Sequence, residues 1–181
     1  MAKLPIIVAP DPRLKLVAAP VDRVDDGVRQ LMDDMLETMY AAPGIGLAAP
    51  QVGVGKRVIV VDLAHEGEAP DPHCMVNPTL QSVSEETGVY EEGCLSLPEY
   101  FADVERPEHA TISYLDRDGA KQILVADGLL ATCLQHEIDH LDGVLFVDHI
   151  SRIKRGMILR KLAKMKRTNP EDLPHFTAEH A

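Results

Sequence analysis

The sequence predicts an α+β fold, with mostly antiparallel β-sheets around a central helix that carries H-E-x-x-H and with one helix before and one after it. Three observations predict this. Strand signals are grouped between residues 57 and 125 and do not alternate with helices, which argues against βα units and a parallel sheet. A 3.6-residue apolar period precedes that group, and a helix-length stretch containing His136-Glu-Ile-Asp-His140 follows it. At 181 residues and 45% hydrophobic, the chain supports one domain with a sizeable core, taken as 1–167, and a proline-punctuated, polar tail over 168–181 reads as flexible.

Along the chain, Pro10-Asp-Pro12 starts a loop. Asp25 or Asp26 caps a helix through about Tyr40, with Val28, Leu31, Met32, Met35, Leu36, Met39 and Tyr40 on one stripe. The methionines of that stripe read as core packing. Pro43–Gly55 is rich in small residues and reads as the wall of a site; it lacks the Gly-Lys-Ser/Thr of a phosphate loop and the glycine spacing of a dinucleotide fold. Strands are expected over 57–63, 74–77, 80–83 and 88–90, followed by a hairpin from Ala110 to Val125 that turns at Asp116-Arg-Asp-Gly119. Residues 128–143 make a helix-sized stretch carrying H-E-x-x-H, with Leu130, Leu134, Ile138 and Leu141 apolar and Gly143 as its C′ residue. A basic amphipathic helix over 150–167 closes the series, with Ile150, Ile153, Met157, Ile158, Leu162 and Met165 as its docking side. No internal repeat or linker is evident.

The H-E-x-x-H pattern points to a hydrolytic metal centre. Residues four apart on a helix differ by about 40° around the axis and roughly 6 Å along it, so His136 and His140 can grip one divalent ion. Glu137 is then placed to work on water at the metal rather than to ligate. Catalytic centres of this kind take a third protein ligand and leave one position open. The metallopeptidase extension x-x-G-x-x-H fails here, because Gly143 is present but its last place holds Phe146. Glu171 and Glu179 lie in the polar tail. Cys133 would sit roughly 7 Å along the axis from the metal, too far for a thiolate bond of about 2.3 Å, and Cys74 reads as a small hydrophobe in a buried strand. Cys94, in Glu92-Gly-Cys-Leu-Ser96, is a candidate: Gly93 permits close backbone approach, and a metal would reverse the disfavour that Glu91 and Glu92 impose on a free thiolate. Gln51 can lend an amide N–H to an oxyanion, the alternative being an ordinary solvated loop amide.

Gly44-Ile-Gly-Leu-Ala-Ala-Pro-Gln51, Glu92-Gly-Cys-Leu-Ser96 and Gln135-His-Glu-Ile-Asp-His140 resemble, in that order, the three signature motifs of the peptide deformylases. The resemblance runs from about Leu4 to Arg167. It implies Cys94, His136 and His140 as metal ligands, Glu137 as acid/base, and Gln51 with the backbone N–H of Leu95 as oxyanion donors. It also implies removal of the N-formyl group from the formylmethionine that begins new polypeptides, with formate as product. Iron(II) is the implied native metal; zinc, nickel or cobalt suits the same donors. Ile45, Gly46, Tyr90, Leu95 and Cys133 are the implied walls of the methionine pocket.

Charge is uneven. Residues 152–167 hold eight Lys or Arg and no acid, against −11 for the whole chain, so the remainder carries −19. The resemblance reads this helix as a contact to the ribosome, where rRNA phosphates would attract it. Three cysteines and a thiolate ligand suit a reducing compartment, no stretch is apolar enough to span a bilayer, and the N-terminus has no signal-peptide core, so the cytoplasm is expected, with neither membrane nor DNA as partner. Two rival readings are a general metallopeptidase and an RNA-binding module in which zinc is structural. The second needs a fourth protein ligand, for which His149 is available if the chain folds back.

Overall fold

A computed structural model describes residues 2–64 and 67–168. The Asp25 carboxylate accepts the Val28 N–H at 2.9 Å, satisfying a donor left free at a helix start, and helix α1 (Asp26–Ala41) follows. Met32, Met35 and Met39 are fully buried, as the stripe requires. Tyr40 departs from it: half exposed, it donates its hydroxyl to Asp62 at 2.6 Å.

Among the described residues seven strands follow: β1 (Gly46–Ala48), β2 (Val58–Val61), β3 (His73–Val83), β4 (Thr87–Cys94), β5 (Leu97–Pro107), β6 (His109–Leu115) and β7 (Lys121–Asp127). They form a five-stranded sheet in the order β1-β2-β3-β6-β7 and a separate β4-β5 pair, and every pairing is antiparallel. The two strands expected over 74–77 and 80–83 are one. Asn77 interrupts the register at φ +50, and its side chain bonds the Val21 N–H and C=O at 2.8 Å each, so the local sequence reads as a break. Neither β1 nor β5 is legible in the sequence. β1 is only three residues, and β5 buries Pro98 and Arg106 on its inner side, which breaks an apolar alternation. The predicted hairpin turn is present: Gly119 N–H donates to the Asp116 carbonyl at 3.0 Å, with Gly119 at φ +79.

Strand β2 is the centre of the molecule. Val58 and Val60 pack with the methionines of α1, whereas Ile59 and Val61 pack with Leu134, Ile138 and Leu141 of helix α2 (Gly128–Leu141). α2 is thereby buried along most of its length, together with the polar Gln135, His136, Glu137 and His140. It stops at Gly143, where φ is +73 and a β-carbon would overlap the Lys15 carbonyl. Helix α3 (Arg152–Thr168) docks through Ile158, Leu159, Leu162 and Met165 against Leu14, Leu97 and Leu145–Val147. Ile153 and Met157, placed by the sequence on the docking side, are 76% and 46% exposed. Of the expected tail, only Thr168, the last residue of α3, lies within the described residues. No described helix is long and apolar enough to cross a membrane.

Candidate metal centre

The β4-β5 turn delivers Cys94 to the flank of α2. Pairing slips at this point, Gly93 opposite Phe101 but Cys94 opposite Leu97, so the strand bends before the turn closes. Gly93 has to be small, because a β-carbon there would overlap the Phe101 ring. One donor atom from each of Cys94, His136 and His140 lies within 4.8 Å of the others. The Cys94 Sγ is 3.3 Å from His140 Nε2, and the two rings meet edge to face with centroids 5.0 Å apart. A single ion fits among one sulfur and two nitrogens so disposed.

The surroundings fix this set in place. His136 Nδ1 donates to Glu92 at 2.8 Å, leaving Nε2 for the site. Glu92 is gripped by both Nε and Nη2 of Arg106, whose Nη1 reaches Asp139 at 2.9 Å, and Asp139 also accepts His149 Nε2 at 2.8 Å. Sequence reasoning treats Glu92 only as an unfavourable neighbour of a free thiolate; the structure makes it the partner of His136. Its position two residues before Cys94 on a strand, hence on the same face, is the signal that could have found it. Arg106 has no such local signal.

The two imidazoles are biased in opposite directions. Burial alone would lower the proton affinity of His136, but its hydrogen bonds with Cys94 and Glu92 and the charge of Glu137 raise it well above its ordinary value. Burial, then the positive neighbours His136 and Arg106, push His140 far down and keep it neutral, the form a ligand requires. Glu137 is buried with Oε2 unpaired, and its pKa is pushed up to about 7, chiefly by burial and also by the Glu92 charge. Its carboxylate lies against Gly46, where a β-carbon would overlap it.

Gln51 is oriented rather than solvated. Its Oε1 accepts the Ala48 N–H at 2.9 Å, which turns Nε2 toward Ser96 Oγ at 3.0 Å and Cys94 Sγ at 3.4 Å. A cavity of about 590 Å³ opens from this point, and Ile45, Gly46, Gln51, Leu95, Cys133, His136 and Glu137 are among its lining residues. Tyr90 does not line it; the Tyr90 hydroxyl lies near Gly128. Cys133 points its thiol at the Ile45 carbonyl, 3.8 Å away, and burial raises its pKa well above the ordinary value. Cys74 lies beside Arg117, and His149 is bound to Asp139. Among the described residues no fourth donor joins the three, so the closed structural-zinc reading is not supported by the fold.

A profile of the family Polypeptide deformylase matches residues 3–156. The chain is 57% identical over 164 residues to a peptide deformylase of Rhizobium meliloti, covering 91% of this chain and 94% of that one. It is 58% identical over 177 residues to one of Methylocella silvestris, covering 94% and 90%. Among solved structures, the peptide deformylase of Ehrlichia chaffeensis in complex with actinonin superposes with a TM-score of 0.88 at 45% identity, covering 93% of this chain and 100% of that chain. The Legionella pneumophila enzyme gives 0.86 at 44%, covering 94% and 99%. With a family profile spanning most of its length and such relatives across the same motifs, the chain belongs to the polypeptide deformylase family.

Proposed function

We propose that this chain removes the N-formyl group from the N-formylmethionine at the start of newly made polypeptides and releases formate. The observation that carries the reading is one cavity lined by Cys94, His136, the unpaired Glu137 carboxylate and the amide of Gln51, with His140 completing the three-donor set. Cys94, His136 and His140 would hold a divalent metal, and when bound it supplies the Lewis acidity that makes water nucleophilic near neutral pH. We infer iron(II) from the family likeness; zinc, nickel or cobalt is able to replace it, since two imidazoles and a thiolate suit all four.

Glu137, a buried carboxylate with one oxygen unpaired beside the donor set, takes the proton of the attacking water and returns it to the departing amine. Gln51 Nε2 and the Leu95 N–H donate to the formyl oxygen as negative charge builds there, each such donor contributing about 3 kcal/mol to the barrier reduction. Ile45, Gly46, Leu95 and Cys133 enclose the methionine side chain, and Tyr90 has no part in this pocket. The basic face of α3 is a ribosome contact, and the cytoplasm, where the Cys94 thiol stays reduced, is where the protein works.

Formyl-Met and unformylated Met peptides, each incubated with the metal-loaded protein, test the reading. Formate from the first and no cleavage of the second is the expected result; cleavage of internal peptide bonds would point to a general metallopeptidase instead. Glu137→Gln is expected to bind metal yet turn over about a hundred to ten thousand times more slowly.

A further inference from the structure

Strand β7 ends the five-stranded sheet, and among the described residues no strand pairs with its outer edge. The opposite edge, β1, is three residues long with two of them buried. β7 has seven residues, no proline or glycine, and an unbroken register against β6, from Lys121 opposite Leu115 to Asp127 opposite His109. Such an edge accepts a further strand unless something blunts it. Two bonds fix which of its backbone groups are open. The Asp116 N–H donates to the Ala120 carbonyl at one end and the Gly128 N–H to the Glu108 carbonyl at the other, both at 3.0 Å. Backbone groups alternate sides along a strand, so Gln122, Leu124 and Ala126 bond to β6, while Lys121, Ile123, Val125 and Asp127 turn their N–H and C=O groups outward. The same four carry their side chains on the sheet face turned from α2, where Ile123 and Val125 are 72% and 74% exposed.

This edge is complementary to itself. Laid antiparallel against a second copy about a two-fold axis through Leu124, Lys121 meets the partner's Asp127 and Ile123 meets the partner's Val125, each contact occurring twice. The outward N–H and C=O groups fall opposite one another in the same register. A slip of two residues keeps those hydrogen bonds but sets Lys121 or Asp127 against an apolar residue, so charge selects one register. Both charges are available: among the described residues neither Lys121 nor Asp127 makes an ion pair, and Asp127, at the N-cap of α2, makes no capping bond through its side chain. Roughly 20 Å apart on one strand, they cannot pair within the chain. We propose that β7 is a homodimer surface, where a second copy of this chain adds its own β7 antiparallel and joins the two five-stranded sheets into one. The contact is closed, because it uses up both open edges and the short, buried β1 offers no continuation.

Sedimentation velocity of the full chain over a concentration series tests this. The mass of two chains is expected at high concentration, falling to that of one on dilution, because a single strand edge is a small interface. Lys121→Asp sets two carboxylates opposite each other at both ends of the contact, and Asp127→Lys sets two ammonium groups there. Each variant alone is expected to dimerise about tenfold or more weakly than wild type at low salt. Mixed in equal amounts, the two variants complement each other and are expected to recover a dimer of near wild-type affinity, which this register alone requires. The mass of one chain at every wild-type concentration overturns the proposal. So does a dimer that neither variant weakens, or one that mixing the variants fails to restore.

Discussion

His136 owes its orientation to a carboxylate that is itself held from two sides. Glu92 is buried, accepts the His136 N–H, and receives two bonds from Arg106, so the imidazole has one tautomer and one ring orientation. Glu92→Gln removes the charge but keeps the shape. The variant is expected to bind a divalent metal about ten- to a hundredfold more weakly, read by competition with a chelator; unchanged affinity would mean that Glu92 only fills space. Cys94→Ala, which deletes a donor, should lose more. His136, Glu137 and His140 were legible as a set because helical spacing encodes them locally, whereas Cys94, on a strand of the hairpin, is singled out only by its motif. Glu92 and Arg106 meet only through the β4-β5 hairpin, and Arg106 beside Pro107 reads as any surface charge.

At the scale of elements, α3 combines a docked edge with a free one. Leu162 is fully buried, while Arg152, Lys154, Arg160, Lys161 and Lys164 are exposed; Arg155 is tied to Asp148 and Lys166 approaches Asp11. Replacing Lys154, Arg160, Lys161 and Lys164 by Glu reverses the free edge without touching the docked one. Cosedimentation with ribosomes at moderate salt is expected to fall at least about tenfold with the melting temperature preserved; retained cosedimentation would refute the ribosome contact. The sequence located this helix and its charge, but it placed Ile153 and Met157 on the docked edge. A period shows which residues share a face, and the neighbouring surface, here Leu145–Val147, decides which part of that face is covered.

Across the whole molecule, Asp148 fastens the N-terminal segment and α3 to the centre. Burial opposes its ionisation, but the Leu145 N–H, Lys15 and Arg155 outweigh that and hold its carboxyl below the usual carboxylate range. A lowered folded-state pKa stabilises the fold above the unfolded value of about 3.9 and ceases to do so as pH falls through the folded value. Asp148→Asn should therefore be less stable by about 1–2 kcal/mol at pH 7, with the gap closing below about pH 4 in urea titrations; a gap independent of pH would show that the charge is irrelevant. The α+β class and antiparallel sheet were readable from the grouping of strands, whereas the division into two sheets depends on long-range pairing that no local stretch specifies.

Val58–Val61 alternates its residues between the methionine helix and the metal-binding helix. Those four positions act as a parity check on the chain: adding or deleting one residue between Gly53 and Arg57 would exchange both sets of contacts at once. The short connection ahead of this strand is therefore constrained in length, unlike an ordinary surface loop.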